Sequence, residues 1–410
     1  MQDFPAFLKG KKIILGVSGS VAIYKSLEIL RCLQKLGAEV RVIMSQKAKD
    51  FISPLLFESL SHYQVLEDCN QSWGQNPINH IEIAKWGELF LIAPASANTL
   101  NKIAYGIADN MLLEAFLAFD KKKLIAPSAN TQMLKNKATQ RALKILENDG
   151  VGIIPTQSKE LACKSVGEGA LAEPLEIVYW VLRAVLSKPF WLNKEVLISG
   201  GGSRERIDAV RYLSNFSSGK MAQSLALVAY FLGAKVCYVG SKFPYHLPLG
   251  IEVIKTETSE SFLKAIQKWQ KHKKTKKEDS FLLMCAAISD YIYPKPHATK
   301  TKKEAIGAVW DLKLVQNKDI LASLDKSKQR TIGFKLENTS EEVKALKNAQ
   351  KALKEKGLEG ICLNCISPSH NPLTSSHNQI LWVGALGEKD LGFGDKFTQS
   401  FKIFSELETL

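Results

Sequence analysis

Two stretches of this chain impose the same local plan. Ile13-Ile-Leu-Gly-Val-Ser-Gly-Ser-Val-Ala-Ile-Tyr24 and Val196-Leu-Ile-Ser-Gly-Gly-Gly-Ser-Arg-Glu-Arg-Ile-Asp-Ala-Val-Arg-Tyr-Leu-Ser-Asn-Phe-Ser-Ser-Gly-Lys220 each run from an apolar strand pattern, through a small polar turn, into a helical pattern. Such a turn lets backbone N–H groups approach an anion at the start of the helix. A chain of 410 residues exceeds one ordinary core, since domains run roughly 100–200 residues. Two α/β domains joined in one polypeptide are therefore expected.

The order of patterns supports this. In the first half, strand-like runs at Lys12 to Val17, Glu39 to Met44, Leu89 to Ala93, Leu124 to Pro127 and Val151 to Pro155 alternate with helical patterns. That alternation implies a parallel sheet covered on both faces, with ligands collecting at the carboxyl ends of its strands. A helical pattern from Glu173 to Leu186 closes this half, and Ser187-Lys-Pro-Phe-Trp191 reads as a linker. The second half alternates again, with strands at Glu195 to Gly200, Lys235 to Gly240, Glu252 to Lys255, Phe281 to Ala287, Arg330 to Phe334 and Gly360 to Asn364. Gln379 to Val383 adds an edge strand. The domains are placed at 1–187 and 192–410.

Composition narrows the function classes. No apolar run approaches the roughly 20 residues of a membrane span, and the N-terminus lacks the basic and apolar pattern of a secretory signal, so a cytoplasmic protein without a membrane partner is expected. The seven cysteines are odd in number, scattered and mostly set in apolar runs, as in reduced proteins. Cys362-Leu-Asn-Cys365 has metal spacing but no second pair, so a buried structural role is the better reading. The formal charge of +14 raises nucleic-acid binding, yet the densest basic run, Lys268–Lys277, belongs to no nucleic-acid fold signature. A solvated loop, and small anionic substrates, account for the charge.

Three strand ends in the first half carry polar loops. Ser18, Gly19 and Ser20 offer hydroxyls and close backbone approach, and Ser96, Asn98 and Thr99 add donors at a second strand end. Asp109 and Asn110 precede a helix, where capping is the alternative reading. His80, ahead of a helical stretch, could be a base or a structural histidine. Cys163 sits in a small, polar, Gly-containing run that suits a mobile lid carrying a thiol.

The order of His80, Ala93-Pro-Ala-Ser-Ala-Asn-Thr-Leu-Asn-Lys-Ile-Ala-Tyr-Gly-Ile-Ala-Asp-Asn110, Pro127-Ser-Ala-Asn-Thr-Gln-Met133 and Leu161-Ala-Cys-Lys-Ser-Val-Gly-Glu-Gly169 resembles the flavin-dependent phosphopantothenoylcysteine decarboxylases over about residues 10–187. The resemblance implies a flavodoxin-like, doubly wound parallel sheet that binds FMN between the subunits of a trimer. It implies that Ser18, Gly19, Ser20, Ser96, Asn98, Thr99, Asp109 and Asn110 surround FMN. His80 would assist oxidation of the cysteinyl carbon, Asn130 would hold the substrate carboxylate, and Cys163 would return a proton after carbon dioxide leaves. The chain departs from the family pattern at Ala129, usually Met, at Lys164-Ser165, usually Gly-Asp, and at Ala170-Leu171, usually Arg-Met.

The second half resembles the phosphopantothenate–cysteine ligases over about residues 192–405. Leu213-Ser-Asn-Phe-Ser-Ser-Gly-Lys-Met221 closely matches their Ser-Asn-x-Ser-Ser-Gly-Lys-Met run, and Gly201-Gly-Ser-Arg-Glu205 their Gly-Pro-Thr-Arg-Glu turn, with Gly202 and Ser203 in place of Pro and Thr. The resemblance implies a Rossmann-like α/β domain that activates 4'-phosphopantothenate with CTP and Mg²⁺ as an acyl cytidylate and joins it to L-cysteine. Asn215 would hold the acyl intermediate. Asp290, Lys300, Lys318, Asp319, Ile320, Leu321, Phe334, Lys351 and Lys356 would take CTP, with Asn364 as a further match, and Arg204, Arg211 and Lys220 would take substrate. Decarboxylase trimers and ligase dimers would together build a homo-oligomer, up to a dodecamer. Two other readings stand beside this one: a flavin reductase with a nicotinamide-binding second domain, and a basic nucleic-acid-binding module.

Overall fold

The computed structural model describes residues 4–74, 79–160, 166–272, 275–337, 341–366, 371, 373 and 375–410. The chain forms two compact units, Met1–Leu186 and Ser187–Leu410. The first holds a parallel sheet in the spatial order Glu39–Met44, Lys12–Val17, Leu89–Ala95, Lys122–Pro127, Gly152–Ile153. This is the 2-1-3-4-5 order of a flavodoxin-like fold, with its switch point beside the first strand. Leu89–Ala95 is buried along its whole length, which is why its sequence is uniformly apolar: helices cover both faces. Ile14, Phe90, Ile92, Leu112, Phe116 and Phe119 share one core cluster. The ring of Phe90 meets Phe116 and Phe119 edge-on, at 5.2 and 5.7 Å. Each such buried side chain contributes about 1.5–3 kcal/mol. After the sheet, Gln157–Glu160 pairs antiparallel with Val166–Ala170.

The second unit is built on an eight-stranded sheet. Ile251–Lys255, Lys235–Gly240, Glu195–Gly200, Ser280–Met284, Arg330–Glu337 and Gly360–Cys365 lie side by side in parallel. His377–Gly384 and Gly387–Asp395 complete it antiparallel. The expected edge strand is thus the last but one. Gly387–Asp395 escaped the sequence reading because only Leu391 along it is buried, so it has neither an apolar run nor clear alternation. Its turn leads into a helix, Lys396–Leu407, capped by the Asp395 carboxylate on the amides of Phe397 and Thr398 at 2.9 and 3.0 Å. This helix packs on Lys220–Leu232. Ser187–Trp191, read as a linker, belongs to this core: Trp191 is fully buried between Phe281 and Phe404, and its Nε1 donates to Glu408 Oε1 at 2.7 Å. Among the described residues no helix is long and apolar enough to cross a membrane.

Candidate active sites

A cavity of about 1080 Å³ opens at the carboxyl ends of the first sheet. Its wall includes Gly19, Ser20, Ser96, Asn98, Thr99, Asp109, Asn110 and Asn130, so the structure brings these expected site residues together. Several of them also cap helices: Ser20 Oγ accepts from the Ala22 amide, Ser96 Oγ from Thr99, Asn110 Oδ1 from Leu113 and Asn130 Oδ1 from Gln132. Capping and cavity lining are therefore not alternatives here; the same residue does both. Ser18 stands apart. Its hydroxyl donates to Pro94 O at 2.9 Å and accepts from the Ser96 amide at 2.8 Å. It is buried behind the wall and joins two of the cavity's loops.

Lys102 donates to Asp109 Oδ2 at 2.5 Å, and this hydrogen bond holds the Asp109 carboxyl below its usual range against the opposing effect of burial. Lys25, also on the wall, was missed from the sequence because it lies within a helical run; its Nζ bonds Leu171 O and Glu173 Oε1 at 3.3 Å each. The antiparallel ribbon closes against the same loop, with the Ala129 amide donating to Gly169 O at 3.1 Å. A side chain at residue 169 would place its Cβ 2.2 Å from Ala129 O, at a φ of +147°. Only glycine fits that approach.

His80 begins the helix His80–Trp86 and is not part of this wall. Its Nδ1 lies 3.1 Å from Gln71 Oε1 and 3.3 Å from Glu114 Oε2, with the Trp73 ring edge-on at 5.7 Å. Gln71 Nε2 donates to the same Glu114 oxygen at 3.2 Å. Both contacts fall on one imidazole nitrogen, Nδ1. Cys163 and Lys164-Ser165 lie outside the described residues.

In the second unit a cavity of about 600 Å³ is lined by Gly201, Asn215, Ser217, Ser218, Gly219, Asp290, Phe334 and Asn364, with Cys285, Asn378 and Lys396. Asn215 Nδ2 donates to Ile288 O at 3.0 Å, which anchors its loop to the strand end opposite. Gly202 makes that closure possible, since a Cβ there would sit 2.7 Å from Asn215 O. Its neighbour Ser203 is buried, with Oγ accepting from the Ser289 amide at 3.0 Å. The Gly202-Ser203 replacement thus keeps a hydroxyl brace and gives the loop room to close.

The other expected ligase residues lie elsewhere among the described residues. Arg211 is 2.8 Å from Asp208 Oδ2, with its guanidinium over the Trp310 ring at 4.9 Å. Arg204 lies over Tyr212 at 5.3 Å and 3.9 Å from Glu257. Lys220 opens the helix Lys220–Leu232 beside the wall. Asp319 caps the short helix Ile320–Ser323 and is paired with Lys356 at 2.8 Å, so these two expected nucleotide residues hold each other. Lys351 is 3.7 Å from Glu355 on an exposed helix face, and Lys300 and Lys318 are exposed. Ile320 is in the core and Leu321, partly buried, packs against it. None of these lines the cavity.

Residues 5–186 match the family described as Flavoprotein, and residues 191–410 match the one described as DNA/pantothenate metabolism flavoprotein C-terminal domain. The chain is 35% identical over 406 residues to the coenzyme A biosynthesis bifunctional protein CoaBC of Vibrio parahaemolyticus, covering 98% of this chain and 99% of the relative. The protein of the same name from Bacillus subtilis is 32% identical over 410 residues, covering 98% of each. The chain belongs to the coenzyme A biosynthesis bifunctional protein family. A solved C-terminal domain of such a protein covers 54% of this chain and 97% of its own, at 27% identity and a TM-score of 0.44. Within this bifunctional family chain, Lys25, Asn378 and Lys396 are among the wall residues that sequence reasoning missed. All three sit in helix or strand patterns where a charged or amide side chain reads as solvent-facing. Cys362 is buried in a central strand, and burial pushes its thiol well above the ordinary value, as expected of an inert packing residue. Among the described residues no three His, Cys, Asp or Glu side chains gather as a metal site.

Proposed function

We propose that this chain carries out two consecutive steps of coenzyme A biosynthesis in the cytoplasm, with one unit for each. The second unit, placed at residues 192–410, ligates L-cysteine to 4'-phosphopantothenate using CTP. The first, at residues 1–187, decarboxylates the product to 4'-phosphopantetheine with FMN. The observation that supports this best is that each half of the chain carries its own cavity at the carboxyl ends of a parallel sheet, lined by polar residues of the corresponding family motif.

The first cavity fits FMN by its donor set. Ser20, Ser96 and Thr99 supply hydroxyls and Asn98 and Asn110 supply amides at helix starts, where a phosphate is favoured, and the volume of about 1080 Å³ admits a flavin nucleotide. Bound FMN supplies the two-electron redox chemistry at the cysteinyl carbon. Asn130 holds the substrate carboxylate, His80 accepts a proton, and Cys163 donates one. Val21, Tyr24, Phe51 and Met133, all exposed, form an apolar rim to the cavity. That rim, together with a His80 that does not line its own cavity, supports a cavity completed by a second copy in a trimer. Ligase dimers then extend the assembly toward a dodecamer.

In the second unit the Lys220–Leu232 helix start and Ser217-Ser218-Gly219 receive an anionic group, and Asn215 holds the acyl intermediate as the cysteine amine displaces CMP. Mg²⁺, brought by the nucleotide, would offset the charge of the triphosphate beside Ser217, Ser218 and Asn215. Purified protein given CTP, cysteine and 4'-phosphopantothenate should release CMP and carbon dioxide and show a flavin spectrum. NADPH oxidation without CTP consumption would instead support a flavin reductase. Salt-sensitive binding to random RNA or DNA without bound flavin would support a nucleic-acid module.

A further inference from the structure

Lys396 is the first residue of the helix Lys396–Leu407. A cation there opposes the helix dipole, whose N-terminal end is positive. It is also 3% exposed, and a buried ammonium loses its hydration. A second cation is close enough to act on it: Lys220, at the start of the neighbouring helix, adds repulsion to the burial that brings the Lys396 amine down to about 8, against an opposing influence of Cys285. Position, burial and charge thus all disfavour an ammonium at this point of the wall, and all three costs fall when an anion enters the cavity.

A second observation comes from a different strand. Asn378 lies on the same wall and is 2% exposed. Its Nδ2 donates to Met221 Sδ at 3.5 Å, whereas its Oδ1 is buried with no hydrogen-bond partner. Asn364 Oδ1, on the same wall, is likewise unpartnered. A buried amide oxygen left unmet is costly, so the wall is matched to a molecule that brings a donor.

We propose that Lys396 and Asn378 bind one phosphorylated substrate of the second unit, the Lys396 ammonium taking a phosphoryl oxygen and Asn378 Oδ1 accepting from a hydroxyl of the same molecule. This rests on the ligase reading. Two substrates share that chemistry, a nucleotide through its phosphates and ribose and 4'-phosphopantothenate through its phosphate and hydroxyl, and the test separates them.

The full chain is titrated calorimetrically with CTP, with 4'-phosphopantothenate and with pantothenate, as wild type, Lys396→Met, Lys396→Arg and Asn378→Ala. Losing a charge-assisted hydrogen bond weakens binding by on the order of 10–100-fold. Lys396→Met is expected to weaken one phosphorylated ligand by that factor, while Lys396→Arg retains most of its affinity. Loss of CTP binding assigns the pair to the nucleotide. Loss of 4'-phosphopantothenate binding with pantothenate unchanged assigns it to the acid. Asn378→Ala should weaken the same ligand, and it carries the test alone if Lys396→Met does not fold. Folded variants that bind both phosphorylated ligands as wild type does overturn the proposal while leaving the ligase reading intact. A wild-type protein that consumes no CTP overturns both.

Discussion

Replacing Ser18 by alanine tests whether the first cavity is held in shape from behind. The hydroxyl makes two hydrogen bonds, donating to Pro94 O and accepting from the Ser96 amide. After the substitution Pro94 O still accepts from the Ser18 amide at 3.2 Å. The Ser96 amide, by contrast, loses its acceptor. One net hydrogen bond at about 1 kcal/mol and one stranded amide at about 1–3 kcal/mol give a loss of roughly 2–4 kcal/mol. For a unit of this size each kcal/mol lowers the melting temperature by about 2–4 °C, so Ser18→Ala should melt roughly 4–16 °C earlier. Differential scanning calorimetry on the full chain reads this, with flavin release marking the transition of the first unit. The second unit's transition is the internal control and should not move. A first-unit transition within about 1 °C of wild type would show that the two loops do not depend on this brace, and the assignment of Ser18 as a support behind the wall would fall.

Glu114→Gln removes the charge beside His80 Nδ1 while keeping the side chain's size. Decarboxylation kcat should drop about 10-fold or more, within the roughly 10²–10⁴-fold that a whole acid–base group supplies, and an unchanged pH–rate profile would refute a positioning role. Asn215→Asp should leave CTP binding measurable but stop transfer to cysteine; rapid-quench detection of ligated product at the wild-type rate contradicts the assignment. Asp208 reports on acid stability. Burial would raise its carboxyl, but the amides of Val210, Arg211 and Thr301 and the Arg211 guanidinium outweigh that and hold it at about 2. A carboxyl lowered in the folded state stabilises above its unfolded value of 3.8 and loses that contribution as pH falls toward 2. Melting of Asp208→Asn should therefore differ from wild type near neutral pH and converge on it between pH 4 and 2. Parallel curves across that range would sink the idea.

What was legible in the sequence is what the chain encodes locally. A parallel strand covered on both faces must be apolar throughout, so Lys12–Val17, Leu89–Ala95 and Glu195–Gly200 announced themselves as runs. A strand at the sheet edge need not be, and Gly387–Asp395, with one buried residue, stayed hidden. The same division runs through the sites. Ser20, Ser96 and Asn110 are helix N-caps and Asn98 and Thr99 lie in a first helical turn, where donor-rich small residues are themselves the signal. Ser18 carries that signal too, yet its hydroxyl is taken up behind the wall by Pro94 O and the Ser96 amide, partners 76 and 78 positions away that no local pattern announces.

Lys396 shows where local reading must fail. Its neighbours, Asp395, Thr398, Gln399 and Ser400, make the segment look like a solvated surface helix. What buries it is a helix 176 positions earlier in the chain, beginning at Lys220, against which Lys396–Leu407 packs. No spacing rule links the two lysines, and their proximity is set only once both helices have settled on the sheet. A lysine in water needs no explanation, whereas one at the buried, positive end of a helix beside another lysine does. The residue became informative through the cost the fold imposes on it. The charged group that reads least remarkably in the sequence is therefore the one whose placement argues most directly for an anion in the second cavity.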